Sequence, residues 1–180
     1  MGVPEDLTVV HTADLGRQRL HELRALLDAA FDGQATDEDL RHALGGLHVL
    51  ALRGGRLVGH AALVQRHLLA GGRLVRAGYV EAVAVDAAHR RRGLGSALVG
   101  VVEDLAARAH EAAFLSASAD GARLYAARGW RPWRGPSGVV TPEGVRDTPE
   151  DDGGLHVHDP AGAWDVTGRL LCEWREGDVW

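Results

Sequence analysis

The sequence predicts an α/β protein with a mixed, mainly antiparallel central sheet that is flanked by helices. Three observations support this fold class. A strand pattern followed by an amphipathic helix opens the chain, glycine pairs divide residues 47–85 into apolar runs, and a second long helical pattern follows a turn rich in Gly and Arg. Because 180 residues are enough for one domain with a sizeable core, we expect residues 1–180 to form a single domain.

The first elements are a short strand and two helices. Residues 7–10, LTVV, have the composition of a strand, and residues 15–31 place leucines at helical spacing. A second, short helix is predicted after Thr36, because Thr36 and Asp39 resemble a capping box in which Asp replaces the usual Glu.

Two glycine pairs mark tight turns in the following segment. Gly54 and Gly55 separate the first two apolar runs, and Gly71 and Gly72 separate the second from the third. Two-residue loops of this kind connect antiparallel strands. Residues 47–85 are therefore predicted to form three antiparallel strands.

The second half of the chain alternates helical and strand patterns and then becomes rich in Gly, Pro and acidic residues. In chain order the predicted elements are a helix over 95–113, a strand over 114–118, a helix over 120–129 that ends at Gly129, a strand beginning in 130–133, a hairpin, a long surface loop, and a final strand at 155–159 or 168–174.

Composition excludes several classes of function. The formal net charge of −5 argues against a general nucleic-acid binder and suits a cationic partner. Cys172 is the only cysteine, which excludes an internal disulfide and a cysteine-based zinc site and favours a cytoplasmic setting. The ten histidines show no metal-ligand spacing, so no metal is expected. No signal-like or membrane-spanning apolar segment is present, so no membrane association is expected.

The stretch HRRRGLGSAL, residues 89–98, lies between a predicted strand and a predicted helix. A turn at a helix start offers free backbone N–H groups and a positive helix end to a phosphate. Gly93 and Gly95 would let that backbone approach the phosphate closely. The spacing matches neither a P-loop nor the three-glycine dinucleotide fingerprint. The alternative interpretation is an ordinary exposed loop before a helix.

The same stretch carries R-x-x-G-x-G, the pyrophosphate-binding signature of the GNAT superfamily of acyl-CoA-dependent N-acetyltransferases. The strand YVEAVAV before it and the helix LYAARGW after it also resemble that superfamily. Nearly end to end, the chain is similar to the aminoglycoside 2′-N-acetyltransferases. The segments that carry this likeness are VHTADL, ALGGLH, HAALVQR, GYVEAVAV, RLYAARGWRPWRGP, TPEDDGG and CEWREGDVW.

The resemblance implies a GNAT fold and acetyl-CoA as co-substrate. Backbone N–H groups at the end of the strand would hold the acetyl carbonyl, and the arginine-glycine loop would hold the pyrophosphate. The residues expected to contact acetyl-CoA are Val83, Ala84, Val85, Arg90, Arg91, Arg92, Gly93, Leu94, Gly95 and Ser96.

The resemblance also implies two catalytic residues. Glu81 corresponds to the glutamate that takes the proton of the attacking amine through water, and Tyr125 to the tyrosine that protonates the leaving thiolate. Each has another interpretation on residue type alone: Glu81 as a strand carboxylate paired with an arginine, and Tyr125 as a helix aromatic in the core.

An aminoglycoside carries several ammonium groups, which converging carboxylates would attract. The run Glu150–Asp152 alone would also fit a solvated loop. The chain ends on Trp180, a large aromatic at a position that usually frays, and we expect it to be buried with its carboxylate facing the substrate. The residues expected to bind the substrate are Asp39, Glu81, Ala82, Ser116, Asp151, Asp178 and Trp180.

One departure from the family pattern concerns the segment after Phe31. This chain has Gln34 where the family often has an acid, so the corresponding cation contact is weakened or moves to Asp32 or Asp37. The range of accepted aminoglycosides is therefore left open.

The expected function is transfer of acetyl from acetyl-CoA to the 2′-amino group of an aminoglycoside within a ternary complex, with antibiotic resistance as its consequence. The family suggests a homodimer. Two alternatives remain open: acetylation of another polyamine, amino sugar or peptide amine, and a non-catalytic module that binds acyl-CoA or an aminoglycoside.

Overall fold

The computed structural model describes residues 7–119 and 121–180. The strands are β1 Leu7–His11, β2 Leu47–Arg53, β3 Arg56–Ala70, β4 Arg73–Val85, β5 Ala112–Ser116, β6 Arg131–Pro132, β7 Ser137–Thr141, β8 Gly144–Asp147, β9 Leu155–His158 and β10 Leu170–Glu173. The helices are α1 Gly16–Ala30, α2 Asp37–His42, α3 Leu94–Ala109 and α4 Ala122–Ala127.

The described chain divides into two compact units. The first contains residues 7–64 and 80–105, and the second contains residues 65–79, 106–119 and 121–180. The boundaries fall inside β3, β4 and α3. A single domain over 1–180 remains a prediction.

In the first unit, β1 pairs with β2 and β2 with β3, both antiparallel. The leucine spacing of α1 buries Leu23, Leu26 and Leu27 on one face of the helix. These leucines belong to one apolar cluster with Leu50 and Ala84 of the strands. Burial of this stripe is the main reason that the segment is helical, because isolated helices of this length are marginal in water.

In the second unit the strand order is β6-β9-β5-β4-β3-β10-β7-β8. The β4–β5 and β7–β10 ladders are parallel. Those of β5–β9, β6–β9, β3–β10 and β7–β8 are antiparallel. The predicted mixed, mainly antiparallel sheet is confirmed.

The glycine pairs form the predicted hairpin turns. Gly54 and Gly55 have φ values of 57° and 82°, and Gly71 and Gly72 have the same two values. Two successive residues at positive φ are the requirement of the turn that matches the twist of paired strands. The three predicted antiparallel strands between residues 47 and 85 are confirmed.

The longest predicted helix and the strand after it, predicted over 95–113 and 114–118, have other bounds in the structure, Leu94–Ala109 and Ala112–Ser116. The helix predicted to reach residue 113 ends at Ala109, because Ala112 and Ala113 pair with Ala77 and Gly78 in the β4–β5 ladder. Alanine is compatible with both helix and strand, so pairing with β4 decides the conformation of these two residues. The final strand, predicted in 155–159 or 168–174, is β10 in the second of these segments, and the first segment forms a strand as well, β9. Asp120, where the next predicted helix begins, lies outside the described residues.

Candidate functional site

The loop between β4 and α3 is held in place by local hydrogen bonds in the first unit. Asp86 Oδ1 accepts from the N–H of Ala88 at 2.9 Å and contacts His89 Nδ1 at 3.2 Å. The hydrogen bond with His89, followed by that from Ala88, lowers the pKa of Asp86. The Asp86 N–H donates to the Val58 carbonyl at 2.9 Å, which ties the loop to β3.

Arg90, the first arginine of the motif, braces the same loop. Its Nε donates to the Val85 carbonyl at 3.0 Å and its Nη2 to the Ala30 carbonyl at 3.3 Å. Arg91 and Arg92 are exposed. Arg90 thus holds the loop backbone in place through these two bonds. Its contact with acetyl-CoA stays a prediction.

The loop enters α3 through two left-handed residues, Arg91 at φ 57° and Gly93 at φ 81°. A Cβ built on Gly93 would meet nothing within 4 Å, so the space beside it is open. The Ala97 N–H donates to the Gly93 carbonyl at 3.0 Å and closes the first helical turn. The N–H groups of a first turn have no carbonyl of their own helix, and the helix dipole is positive there. The geometry fits a phosphate at the predicted place.

The end of β4 carries the predicted base. Glu81 is half-buried, and the next residue, Ala82, has φ 51°, an uncommon value for a non-glycine residue inside a strand. We refer to this left-handed residue as the Ala82 kink. The β4–β5 ladder ends at the pair Tyr79–Phe114, whereas β4 continues to Val85. Because side chains alternate along a regular strand, the kink sets the direction of Glu81 relative to the residues that follow.

The predicted acid, Tyr125, lies in α4 of the second unit. Its side chain is 7% exposed, and its ring contacts Trp130 edge-on at 5.6 Å between centroids. Burial raises the pKa of Tyr125 to about 12, so the phenol keeps its proton at neutral pH and can donate it. Burial alone also fits a core aromatic, and the catalytic role stays a prediction.

Trp180 is buried, as predicted, at 3% exposure. Its indole Nε1 donates to Thr148 Oγ1 at 2.9 Å, and its backbone N–H donates to Asp178 Oδ1 at 3.0 Å. Arg175 Nη2 donates to a carboxylate oxygen of Trp180 at 2.8 Å, and the contact of this carboxylate with a substrate stays a prediction. This segment is held by indole burial and three hydrogen bonds, which oppose fraying.

Asp151 lies in the same unit, close enough to Asp178 to be affected by its charge. Burial first, and then the charge of Asp178, raise the pKa of Asp151. Ser116 neighbours the same loop: a Cβ on Gly154 would meet Ser116 Oγ at 3.5 Å and the Asp151 carbonyl at 3.3 Å. The structure therefore brings four predicted substrate residues into one region of the second unit: Ser116, Asp151, Asp178 and Trp180.

The other predicted carboxylate, Asp39, lies in the first unit. Its Oδ2 accepts from the Thr36 N–H at 2.8 Å while Thr36 Oγ1 accepts from the Asp39 N–H at 3.1 Å, so the predicted capping box is confirmed. Asp37 forms an ion pair with Arg24 at 3.3 Å. The carboxylate of Asp39 therefore already has a role as part of a helix cap. Its contact with a substrate stays a prediction.

Sequence reasoning missed two buried histidines in the first unit. His48 and His60 are both 0% exposed, and His48 Nδ1 lies 2.9 Å from His60 Nε2. Burial lowers the pKa of His48 to about 4, with a smaller contribution from His11, and that of His60 to about 3. The only signal was a histidine inside each of two apolar runs. In the β2–β3 register these histidines face Ala62 and Leu50, so their contact is diagonal and invisible in the sequence.

These histidines make stability depend on pH. The unfolded chain protonates them below about pH 6.5, whereas the folded chain keeps them neutral, so the folded state loses stability as the pH falls. We expect the free energy of unfolding to fall by about 1.4 kcal/mol per histidine between pH 7.5 and 5.5. Urea unfolding at both pH values measures this. In His67→Gln, a control at an exposed histidine, most of this fall in the free energy of unfolding should remain. If a variant that lacks both His48 and His60 showed the same fall as the wild type, the assignment would be contradicted.

Within residues 7–119 and 121–180, no group of three or more His, Cys, Asp or Glu side chains is arranged to hold a metal ion. Over the same residues, no helix combines the length and apolarity needed to cross a membrane.

Comparison with known proteins identifies the family. The model of the acetyltransferase (GNAT) domain matches residues 13–133. A curated aminoglycoside 2′-N-acetyltransferase from Mycolicibacterium fortuitum is 44% identical over 183 residues, which cover 99% of this chain and 94% of the relative. The chain belongs to the aminoglycoside 2′-N-acetyltransferase family. Its members are GNAT acetyltransferases, so the predicted family and fold class are both confirmed.

Solved structures support the same fold. The GNAT acetyltransferase YhbS of Escherichia coli, in complex with CoA, superposes with a TM-score of 0.63 at 23% identity over 94% of this chain and 89% of that one. A GNAT acetyltransferase from Brucella melitensis, in complex with acetyl-CoA, gives 0.59 at 16% identity over 91% and 94%. Eis1 of Mycobacterium abscessus gives 0.60 at 26% identity over 74% of this chain, which spans only 33% of Eis1. The family's acetyltransferase fold is thus seen in structures that hold CoA or acetyl-CoA.

Proposed function

We propose that this protein transfers the acetyl group of acetyl-CoA to the 2′-amino group of an aminoglycoside. The observation that carries the proposal lies within the first unit: β4 runs through Glu81 and the Ala82 kink to Val85, and the braced loop that follows it leads to an open helix N-terminus at Gly93. A carboxylate therefore precedes a phosphate-type site by 12 residues, near the end of the strand that leads to it. The 44% identity with an aminoglycoside 2′-N-acetyltransferase over nearly the whole chain supports the choice of substrate.

The reaction requires a neutral amine, whereas an unperturbed alkyl ammonium has a pKa of about 10. Glu81 accepts the ammonium proton through a water molecule, and the amine nitrogen forms a bond to the thioester carbonyl carbon. Backbone N–H groups of Val83 to Val85 stabilise the oxyanion. The C–S bond then breaks, and the thiolate of CoA takes a proton from Tyr125, whose raised pKa keeps it protonated. The nitrogen of the addition product gives up its second proton to solvent as the amide forms, Glu81 releases its proton to solvent, and Tyr125 regains one from solvent. Cys172 is given no role in these steps.

The carboxylates of the second unit suit a polycationic acceptor. Burial and then the charge of Asp178 raise the pKa of Asp151, and the charges of Glu150 and Asp152 act in the same direction. Carboxylates held this close repel one another. Ammonium groups that bind among them relieve this repulsion, so the cluster favours a polycation. Asp152 Oδ1 accepts from both Ser137 N–H and Oγ–H, at 2.9 and 2.8 Å, and therefore fixes the loop. Asp151 and Asp178 are the carboxylates that we assign to ammonium binding.

The direct test is release of free thiol from acetyl-CoA. Tobramycin, which carries a 2′-amino group, should release thiol and gain one acetyl group at that nitrogen, as located by NMR of the product. A matched aminoglycoside with a 2′-hydroxyl should not be acetylated at that position. Equal turnover of both would contradict the 2′ assignment, a strong preference for another polyamine would redirect the substrate class, and tight binding without thiol release would indicate a non-catalytic module.

Replacement of Asp151 by Asn should raise KM for the aminoglycoside. A partly exposed ion pair is worth up to about 1 kcal/mol, so the expected rise is roughly fivefold, with kcat little changed. Because the pKa of Asp151 is raised, wild-type KM should also rise as the pH falls through that value, and Asp151→Asn should flatten this dependence. Steady-state kinetics across pH measure both effects. Asp165→Asn, at an exposed carboxylate, is the matched control; an equal change there would contradict a local role.

We also propose that the protein works as a cytoplasmic homodimer, without membrane or nucleic acid, and that its activity protects the host cell from aminoglycosides. The dimer is what the resemblance to the family suggests, and a sequence with a single cysteine, which cannot form an internal disulfide, fits the cytoplasm. Sedimentation would test the dimer. Growth of cells with and without the gene in tobramycin would test protection.

A further inference from the structure

A continuous line of hydrogen bonds runs through the interior of the first unit and ends at the Ala82 kink. Thr12 Oγ1 lies 2.7 Å from His48 Nε2, His48 Nδ1 lies 2.9 Å from His60 Nε2, and His60 Nδ1 lies 2.7 Å from the Ala82 carbonyl. Both rings are fully buried. All three contacts have good hydrogen-bond lengths.

The chemistry of the two ends fixes the direction of every bond. A carbonyl only accepts, so His60 Nδ1 carries the hydrogen and its Nε2 accepts from His48 Nδ1–H. His48 Nε2 must then accept from Thr12 Oγ1–H, which is also 3.2 Å from the Gly46 carbonyl. The hydroxyl oxygen in turn accepts from the Gly45 N–H at 2.9 Å. The lowered pKa values of both histidines agree with one proton on each ring.

The inner end of this line lies at a strained point of the backbone. Ala82 has φ 51°, which costs conformational energy for any residue with a Cβ and persists only when its surroundings hold it. Alanine has no polar side chain with which to fix its own conformation. The bond from His60 Nδ1–H to its carbonyl restrains the peptide that follows the kink. That kink joins Glu81 to Val83–Val85.

We propose that Thr12, His48 and His60 form a one-directional relay that holds the Ala82 kink and thereby positions Glu81 and the backbone N–H groups after it. The relay residues are positioning residues, since they act through the backbone of β4. The catalytic part of this inference rests on the proposed function. The restraint of Ala82 does not, and it can be measured without substrate.

The first test is the tautomer of each ring in the wild-type protein. With ¹⁵N- and ¹³C-labelled histidine, NMR at pH 7 should show both buried rings neutral and protonated on Nδ1, although a neutral histidine in water favours Nε2–H. Protonation on Nε2 of either ring would overturn the relay. The NMR result tests the restraint of Ala82 even if the protein acetylates no amine. Absence of turnover would overturn the proposed function and, with it, the inference that the relay positions catalytic groups.

The second test separates positioning from folding. In His60→Asn the amide can occupy the place of Nδ1–H and still donate to Ala82, whereas in His60→Gln it occupies the place of Nε2 and cannot. We expect kcat to fall about 10- to 100-fold in His60→Gln and to recover largely in His60→Asn, with KM for acetyl-CoA near wild type in both. Leu170→Ala removes buried core volume in the second unit, away from the relay and the Ala82 kink, and should lower stability while keeping kcat. Equal kcat values in both His60 variants would overturn the positioning role.

Discussion

Replacement of Glu81 by Gln lowers kcat by about 10²- to 10³-fold if this carboxylate is the general base, which is within the range of such catalysis. Glutamine has nearly the same shape, so binding of acetyl-CoA and of the amine should change little. What the variant loses is the group that accepts the ammonium proton. Thiol release at saturating concentrations of both substrates measures the effect.

The pH dependence of Glu81→Gln distinguishes loss of a base from loss of structure. Without the base, only the fraction of amine that is already neutral can react, so the residual rate should rise tenfold per pH unit below the pKa of the amine. Glu22→Gln, on α1, is the matched control and should behave as wild type. A Glu81→Gln rate close to wild type, or a residual rate that ignores pH, would contradict the assignment.

Replacement of Gly93 by Val raises KM for acetyl-CoA by about 10- to 100-fold, the second large effect that we expect. Gly93 has φ 81°, and the space where its Cβ would lie is open. A valine there would project into the space assigned to the pyrophosphate. It would also strain the backbone by about 1–3 kcal/mol. Calorimetric titration with CoA separates loss of affinity from loss of rate.

Gly72 provides an unusually close control for that variant. It lies in a hairpin turn at φ 82° and a Cβ there also meets nothing within 4 Å. Gly72→Val should therefore suffer similar backbone strain and lose similar stability. Its affinity for CoA should remain that of the wild type. Equal losses of CoA affinity in both variants would show that Gly93 matters for folding and not for the cofactor.

Local sequence features predicted those parts of the fold whose causes are local. The leucine spacing of α1, the capping box at Thr36 and the two glycine pairs depend on residues a few positions apart. The arginine-glycine motif belongs to the same class, because a turn followed by a helix start is also a short-range feature. The physical reason is that helix, cap and turn energetics involve neighbours along the chain.

Non-local pairing decided where local preference was weak. Ala112 and Ala113 would extend α3, yet the β4–β5 ladder recruits them into a strand. The segments of β9 and β10 both become strands because each pairs with strands on both sides, β9 with β5 and β6 and β10 with β3 and β7. Neither result could be derived from composition, since alanine and leucine suit helices and strands alike.

The candidate site shows the same division. By itself the sequence determined the family and the burial of Trp180, because motifs and residue types carry that information. The pyrophosphate role of the loop with Gly93 and the base role of Glu81 were predicted in the same way and stay predictions. Only the tertiary structure showed that Arg90 braces its own loop, that Asp178 lies close enough to affect Asp151, and that His48 and His60 form a line of hydrogen bonds to Ala82. The physical reason is that hydrogen bonds and charge effects act over a few ångströms, and residues far apart in the chain reach that range only when the strands are paired.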